Sequence, residues 1–216
     1  MIRLTLIGAS GLTGKAVLAL LLANPQVEQV IAPTRKALPE HAKLLQISFD
    51  EYLHQEPKQA NSSHVICCFG TTLKQAGSKA NFVKIERDLC LQLCARALHF
   101  GAKKLSYVSS MGTSHKALSL YSRTKAEIET SLSQLELEQL VIIRPSLLSG
   151  SRSADKRPLE YIAIKLSSML KFIIPASMRP TEIENLAKAL VNATLSSDQS
   201  NLLVQGSDQI NRFARN

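Results

Sequence analysis

"LIGASGLTGK", residues 6–15, decides how the rest of the chain is read. The run leading into it, "IRLTLI" at 2–7, is short and apolar, as a buried strand is. The run after it, "KAVLALLLAN" at 15–24, reads as a helix stopped at Asn24-Pro25. Between the two, Gly8, Gly11 and Gly14 recur at three-residue spacing. A tight strand-to-helix turn needs a residue without Cβ, and a phosphate approaches the backbone only where no side chain intervenes. The helix N-terminus then offers free N–H groups and the positive end of its dipole. The stretch therefore predicts a cradle for a dinucleotide pyrophosphate, shaped by Gly8, Gly11 and Gly14 and lined by Ser10, Leu12 and Thr13. A purely structural turn is the competing reading. The position of the stretch, at the head of an alternating chain, favours the cradle.

Outward from there, "VEQVIAP" (27–33), "LLQISF" (44–49), "HVICCFG" (64–70), "KLSYVS" (104–109) and "QLVIIRP" (139–145) read as further strands. A long helix lies between the fourth and fifth, with Phe82, Ile85, Leu89, Leu93 and Ala97 at steps of three and four and Gly101 as its C-terminal cap. Another helix carries Tyr121 and Lys125 before the sixth strand. Strands alternating with helices over short connections predict an α/β protein, a Rossmann-like doubly wound parallel sheet covered on both faces. From Ser146 to Pro180 the alternation breaks, with the polar, basic "SGSRSADKRP" (149–158) ahead of an apolar helix. We read this as a small C-terminal substrate-side elaboration, about 146–180, of one domain spanning 1–216. "TEIENLAKALVNATL" (181–195) reads as a helix with a Thr181–Glu184 capping box, and "NLLVQ" (201–205) as a last strand before a polar tail.

The 216 residues suit one well-packed domain, and their 45% hydrophobic and 20% charged content is ordinary globular composition. No stretch approaches the roughly 18 uncharged apolar residues of a membrane span, and the N-terminus lacks the pattern of a signal peptide. A cytoplasmic location without membrane attachment is expected. Cys67 and Cys68 point to opposite faces of a strand, while Cys90 and Cys94 lie one helical turn apart. No second Cys or His pair stands at zinc-site spacing, so the thiols are expected to be structural and no metal is expected. The net charge is +9, and no acidic residue falls between Asp88 and Glu127. The basic residues are dispersed and aromatics are only 5%, which fits an anionic small ligand better than a nucleic-acid groove.

The end of the second strand selects between cofactors. In the NAD pattern an acidic residue there bonds the ribose hydroxyls, whereas this chain has Thr34, Arg35 and Lys36. Arg35 can fork onto a 2′-phosphate that an acid would repel, so NADP(H) is preferred over NAD(H). Solvated surface charge is the alternative for Arg35 and Lys36.

With "GASGLTG", "FGTT", "VSS", "YSRTK" and "RPSLLSG" in that order, the chain resembles the short-chain dehydrogenase/reductase superfamily. It is most similar to the atypical NAD(P)H-binding branch related to nucleoside-diphosphate-sugar epimerases, in its short oxidoreductase-like form, over Met1 to about Leu195. The resemblance implies Tyr121 as the acid/base at a substrate carbonyl. It implies Lys125 as the residue that binds the nicotinamide ribose and draws the phenol below its ordinary value of about 10. Ser110 is implied as the hydroxyl orienting the substrate oxygen, with Ser109 beside it. Gly70 and Thr71 match the place where the backbone passes the cofactor, and Pro145 the segment beside the nicotinamide. Each of these also has a bland reading as a strand-end turn or a strand terminator. His115 reads as an exposed loop histidine.

The expected function is an NADPH-dependent oxidoreductase of the carbonyl reductase type, with a small-molecule substrate. Arg152, Lys156 and Arg157 leave an anionic substrate and a solvated basic loop equally open. The alternative is an NADP(H)-binding regulatory or interaction protein without turnover, and nucleic-acid binding ranks a distant third. The sequence leaves the oligomeric state open.

Overall fold

The computed structural model describes residues 1–149, 175, 178–196 and 201–215. Its main sheet has seven parallel strands in the order β3-β2-β1-β4-β5-β6-β9. These are β1 (Ile2–Ile7), β2 (Val27–Pro33), β3 (Leu44–Ile47), β4 (His64–Cys67), β5 (Lys104–Val108), β6 (Gln139–Arg144) and β9 (Leu202–Gln205). A second, two-stranded sheet pairs β7 (Leu148–Ser149) with β8 (Thr181–Glu182). The winding reverses between β1 and β4, and such a switch point opens a crevice at the C-terminal ends of the strands.

Parallel strands are buried on both faces, and the side chains of β1 show it. Leu4 and Leu6 enter one apolar cluster while Ile7 enters the other, the alternation that a period of two requires. The first cluster is closed by α1 (Leu12–Ala23) and α7 (Ile183–Leu195), the second by α2 (Phe49–His54), α5 (Cys90–His99) and α6 (Leu120–Ser133). Each fully buried Leu or Ile contributes roughly 1.5–3 kcal/mol against solvent exposure. Among the described residues no helix is long and apolar enough to cross a membrane.

Three local expectations are corrected. The long helix between β4 and β5 is not uniform: after the short α3 (Leu73–Ala76), α4 (Lys79–Val83) runs through a π-helical segment, Lys84–Leu89, into α5. A π turn takes in an extra residue, so a position three on falls short of the buried face and a position four on reaches it. Ile85 and Leu89 are accordingly only half-buried, while Glu86 and Cys90 join Phe82 in the interior. The capping box at Thr181 does not form either. Thr181 belongs to β8, Glu182 is the N-cap of α7, and the Thr181 hydroxyl meets those of Ser146 at 3.0 Å and Ser207 at 3.0 Å. Finally, the polar tail is a helix, α8 (Gly206–Phe213), which buries Ile210 against the first cluster. Arg152, Lys156 and Arg157, with most of the expected elaboration, lie outside the described residues.

Candidate active site

The turn after β1 is shaped by the close approach of backbone to backbone. Gly8 has φ +87°, where side chains are strained, and a Cβ there would meet Cys68 carbonyl carbon at 2.7 Å. A Cβ on Gly14 would lie 2.0 Å from the Gly8 carbonyl oxygen. These two glycines let the turn cross β4 and let α1 start against β1. Gly11 differs: it is exposed and is the N-cap of α1, and no side chain caps that helix. Its own N–H is spent on the Gly8 carbonyl at 2.9 Å. Ser10 and Leu12 are half-buried and Thr13 is buried beside it. The first turn of α1 holds no acidic residue, so an anion approaching its N–H groups meets the positive dipole end without repulsion. The arrangement fits a pyrophosphate.

At the end of β2, the Thr34 hydroxyl accepts the Lys36 N–H at 3.1 Å and donates to the Lys36 carbonyl at 2.8 Å, closing a turn that exposes Arg35 and Lys36. The Arg35 guanidinium lies 5.6 Å from the centre of the Phe49 ring, within cation–π range. A cavity of about 200 Å³ opens here, lined by Thr34, Arg35, Lys36, Ala37, Gln46, Ile47 and Ser48, with no acidic side chain among them.

Across the crevice α6 places Tyr121 and Lys125 one turn apart on one face, as their spacing predicts. Tyr121 is half-buried, its ring 6.2 Å from that of Phe82. Lys125 is buried, and its ammonium lies 2.8 Å from Glu86 Oε1, an ion-pair contact outside hydrogen-bond alignment. It donates to the Tyr107 hydroxyl at 2.8 Å and the Val108 carbonyl at 3.2 Å. The centre of the Tyr121 ring is 5.8 Å away. Burial alone would push Lys125 towards the neutral amine, but Tyr107 and Glu86 beside it, with Tyr121, hold it well above the ordinary lysine range. Burial pushes the Tyr107 phenol well above its ordinary value, against the pull of the Lys125 cation. Tyr107 is thus neutral at physiological pH, and the group that balances Lys125 is Glu86.

Sequence reasoning passed over Glu86. The signal was available: Glu86 stands four residues after Phe82 and four before Cys90, on the face of the helix that enters the core. Its second oxygen accepts the backbone N–H of Thr71, so the loop after β4 is tied to the same carboxylate. Gly70 lies close by, where a Cβ would meet Glu86 Oε2 at 3.4 Å.

The two serines after β5 part company. Ser109 is buried and donates to Glu129, which also receives the Arg144 guanidinium through both its oxygens. Ser110 is half-buried and donates weakly to the Met111 carbonyl at 3.3 Å, which leaves it the more available hydroxyl. Pro145 is buried, and its carbonyl accepts the Met111 N–H at 2.9 Å, fastening the end of β6 to the Ser110 loop. His115 is exposed and reaches the hydroxyl of the likewise exposed Thr130 of α6 at 2.9 Å.

The fold adds a third thiol to the pair that the spacing offered. Cys67, Cys90 and Cys94 are fully buried with their sulfurs all within 4.8 Å of one another, and Cys67 meets Cys90 at 3.5 Å. They pack with Leu93, Tyr107 and Ile128 in the second apolar cluster. Hydrogen bonds among the three hold the Cys67 thiol below its ordinary range and push Cys90 and Cys94 above it.

The profile of the NAD dependent epimerase/dehydratase family matches residues 4–177. Protein fmp52-1, mitochondrial, of Aspergillus terreus is 34% identical over 211 residues, which cover 90% of this chain and 88% of the relative. Among solved structures, UDP-glucuronic acid 4-epimerase from Bacillus cereus in complex with NAD has a TM-score of 0.67 at 16% identity, over 95% of this chain and 79% of that one. Human epimerase family protein SDR39U1 with NADPH has a TM-score of 0.65 at 16% identity, over 95% and 74%. The chain belongs to the NAD dependent epimerase/dehydratase family and has its NAD(P)-binding, Rossmann-like fold of the atypical short-chain dehydrogenase/reductase type. The expected cytoplasmic location is overturned by the relatives, since the fmp52 proteins that this chain resembles are named mitochondrial.

Proposed function

We propose that this member of the NAD dependent epimerase/dehydratase family is an NADPH-dependent reductase of a small-molecule carbonyl. The observation that carries the reading is the buried Lys125 ammonium at the C-terminal ends of β4 and β5, 5.8 Å from the ring of a Tyr121 that is only half-buried. A proton donor to a developing alkoxide works beside a fixed cation, and the fold holds one next to Tyr121.

In this reading the free N–H groups at the start of α1, with Gly8, Gly11 and Gly14 keeping side chains away, hold the pyrophosphate. Ser10, Leu12 and Thr13 flank it. Arg35, in the cavity at the end of β2, takes the 2′-phosphate, which gives NADP(H) its preference over NAD(H). Gly70 and Thr71 border the ribose, Lys125 bonds the nicotinamide ribose, and Pro145 borders the ring. Bound NADPH supplies the hydride that reduces the carbonyl carbon. Tyr121 gives its proton to the carbonyl oxygen, which the Ser110 hydroxyl orients. Positioned proton transfer of this kind is worth about 10²–10⁴-fold in rate.

The test is a parallel titration of the purified protein with NADPH and NADH, read by nicotinamide fluorescence, followed by a carbonyl screen of wild type and Tyr121→Phe. Tight NADPH and weak NADH binding is expected, with turnover lost in the variant; binding of neither dinucleotide overturns the reading. A cofactor-responsive binding protein without turnover is the second reading, favoured by the engagement of Lys125 with Glu86 and Tyr107. Function that persists in Tyr121→Phe would select it.

A further inference from the structure

We propose that Glu86 is the positioning residue of the site: its carboxylate is the counter-ion that keeps Lys125 charged and aimed into the crevice, and it locks the Thr71 loop to that lysine. The inference rests on the reductase reading and adds to it a residue outside the Ser–Tyr–Lys set.

Position comes first. Glu86 is 1% exposed, as deep as Phe82 and Cys90 one turn before and after it. A buried carboxylate is costly unless it is paired and hydrogen-bonded, and an apolar pair of the same volume is commonly as stable or more so. Packing therefore gives no reason for Glu86 in this place. The backbone supplies the means, because the π-helical turn Lys84–Leu89 carries Glu86 onto the buried face.

Connectivity comes second. One oxygen contacts Lys125 from α6, and the other takes the N–H of Thr71 from the loop after β4. A single carboxylate thereby joins two pieces assigned to the cofactor, the Thr71 loop and Lys125. The other titratable groups facing Lys125 are Tyr107 on β5, Tyr121 on its own helix, Cys67 and Cys68 at the end of β4 and Cys90 on α5. Burial keeps Tyr107 and Cys68 protonated, and the bond with Cys67 keeps Cys90 so, and none of these three replaces Glu86 as an anion at neutral pH. Cys67, whose thiol is held low, points its bonds at Cys90 and Cys94 instead of at the ammonium.

Removing the charge should release the lysine. Two readouts on the full chain test this: the titration of Lys125 itself, by carbon NMR of ¹³Cε-labelled lysine without cofactor, and the dissociation constant of NADPH from about pH 6 to about pH 10. In wild type, Lys125 stays charged throughout and affinity does not follow its titration. In Glu86→Gln the lysine titrates inside the window, and NADPH binding weakens by about tenfold as it loses its proton. Glu86→Asp, which restores the charge one methylene short, recovers the high titration of Lys125. An unmoved Lys125 titration in Glu86→Gln overturns the proposal whatever NADPH does, and so does a wild-type NADPH profile alongside a shifted lysine. If wild type binds no NADPH, the reductase reading falls by that measurement alone, and the assignment of Glu86 to cofactor positioning falls with it; the NMR still reports whether the pair exists. Should Glu86→Gln not fold, adding Lys125→Met decides the matter. Refolding of the double variant shows that the lysine was stranded, and failure to refold shows that Glu86 acts through packing, which overturns the proposal.

Discussion

On the β1 side of the crevice Gly8, Gly11 and Gly14 keep side chains out, whereas on the β4–β5 side Glu86, Tyr107 and Lys125 bring charge and hydroxyl into the interior. The first side is made of backbone: the Gly8 carbonyl and the Ala9 Cα leave no room for a Cβ on Gly14. The second is made of side chains from β5, α6 and a π turn that meet at one ammonium. The difference teaches where each side can fail. The glycine side should fail in folding, the charged side in folding where one partner of the buried pair is stranded and otherwise in protonation and turnover.

The largest effect is expected from Gly14→Val. Its Cβ would be placed 2.0 Å from a backbone oxygen that cannot yield without moving β1. A cost above about 4 kcal/mol is characteristic of such overpacking, so we expect the variant to be unfolded or to melt far below wild type by circular dichroism. A native melting curve would break the claim that this side is governed by backbone contact.

Lys125→Met comes next. It strands Glu86 in the interior, and breaking a buried pair by removing one partner costs about 3–5 kcal/mol. Replacing both Lys125 and Glu86 by Met should restore most of the melting temperature while leaving NADPH binding impaired, which separates the structural from the functional share of the pair. The wild-type pair also sets an alkaline limit. The folded Lys125 is raised above its unfolded value of about 10.4, so its contribution is fully present below that pH and is lost as pH rises through the higher folded value. Alkaline unfolding should therefore begin above about pH 10 in wild type and lose this component in the double Met variant.

Tyr121→Phe is expected to be milder for the fold and confined to chemistry. The ring contact with Phe82 at 6.2 Å survives the substitution, so melting temperature and NADPH affinity should hold. Turnover of a carbonyl substrate should fall by about 10²–10⁴-fold. A variant with wild-type turnover would mean that the proton comes from elsewhere on this side.

The same contrast explains what was legible in the sequence. The glycine side could be read because it is local: strand period, glycine spacing and helix start all lie within residues 2–24. The alternation that follows was enough to predict the parallel sheet, which the fold has. Tyr121 and Lys125 were singled out by the resemblance that "YSRTK" carries, and the structure keeps them on one face of α6. Glu86 was missed because its partner is distant in sequence and because a π turn changes the phase of the stripe, so Ile85 and Leu89 were taken for core positions. Cys67 escaped for the same reason, joining Cys90 and Cys94 only when β4 lies against α5. Thr181 had the pattern of a helix cap, but strand pairing with Leu148 and hydroxyls from Ser146 and Ser207 claimed it first. The tail was read as polar because only Ile210 and Phe213 of α8 bring apolar side chains to the first cluster.

Arg35→Ala should have the smallest effect and the most selective one. Arg35 is exposed, and its interaction with a 2′-phosphate is screened by solvent, so a charge-assisted bond there is worth about 1–1.5 kcal/mol, towards the low end of the range. NADPH affinity should fall about tenfold while NADH affinity stays put. The fold should not notice, because the Thr34–Lys36 turn is closed by the Thr34 hydroxyl and the Lys36 backbone, not by the guanidinium. Equal losses for both dinucleotides would place Arg35 at a group they share, and the cavity at the end of β2 would then hold an adenosine without reading its phosphate. Because NADH lacks only that phosphate, the ratio of the two losses isolates one contact, at the outer edge of the backbone-built side, where a side chain alone makes the choice.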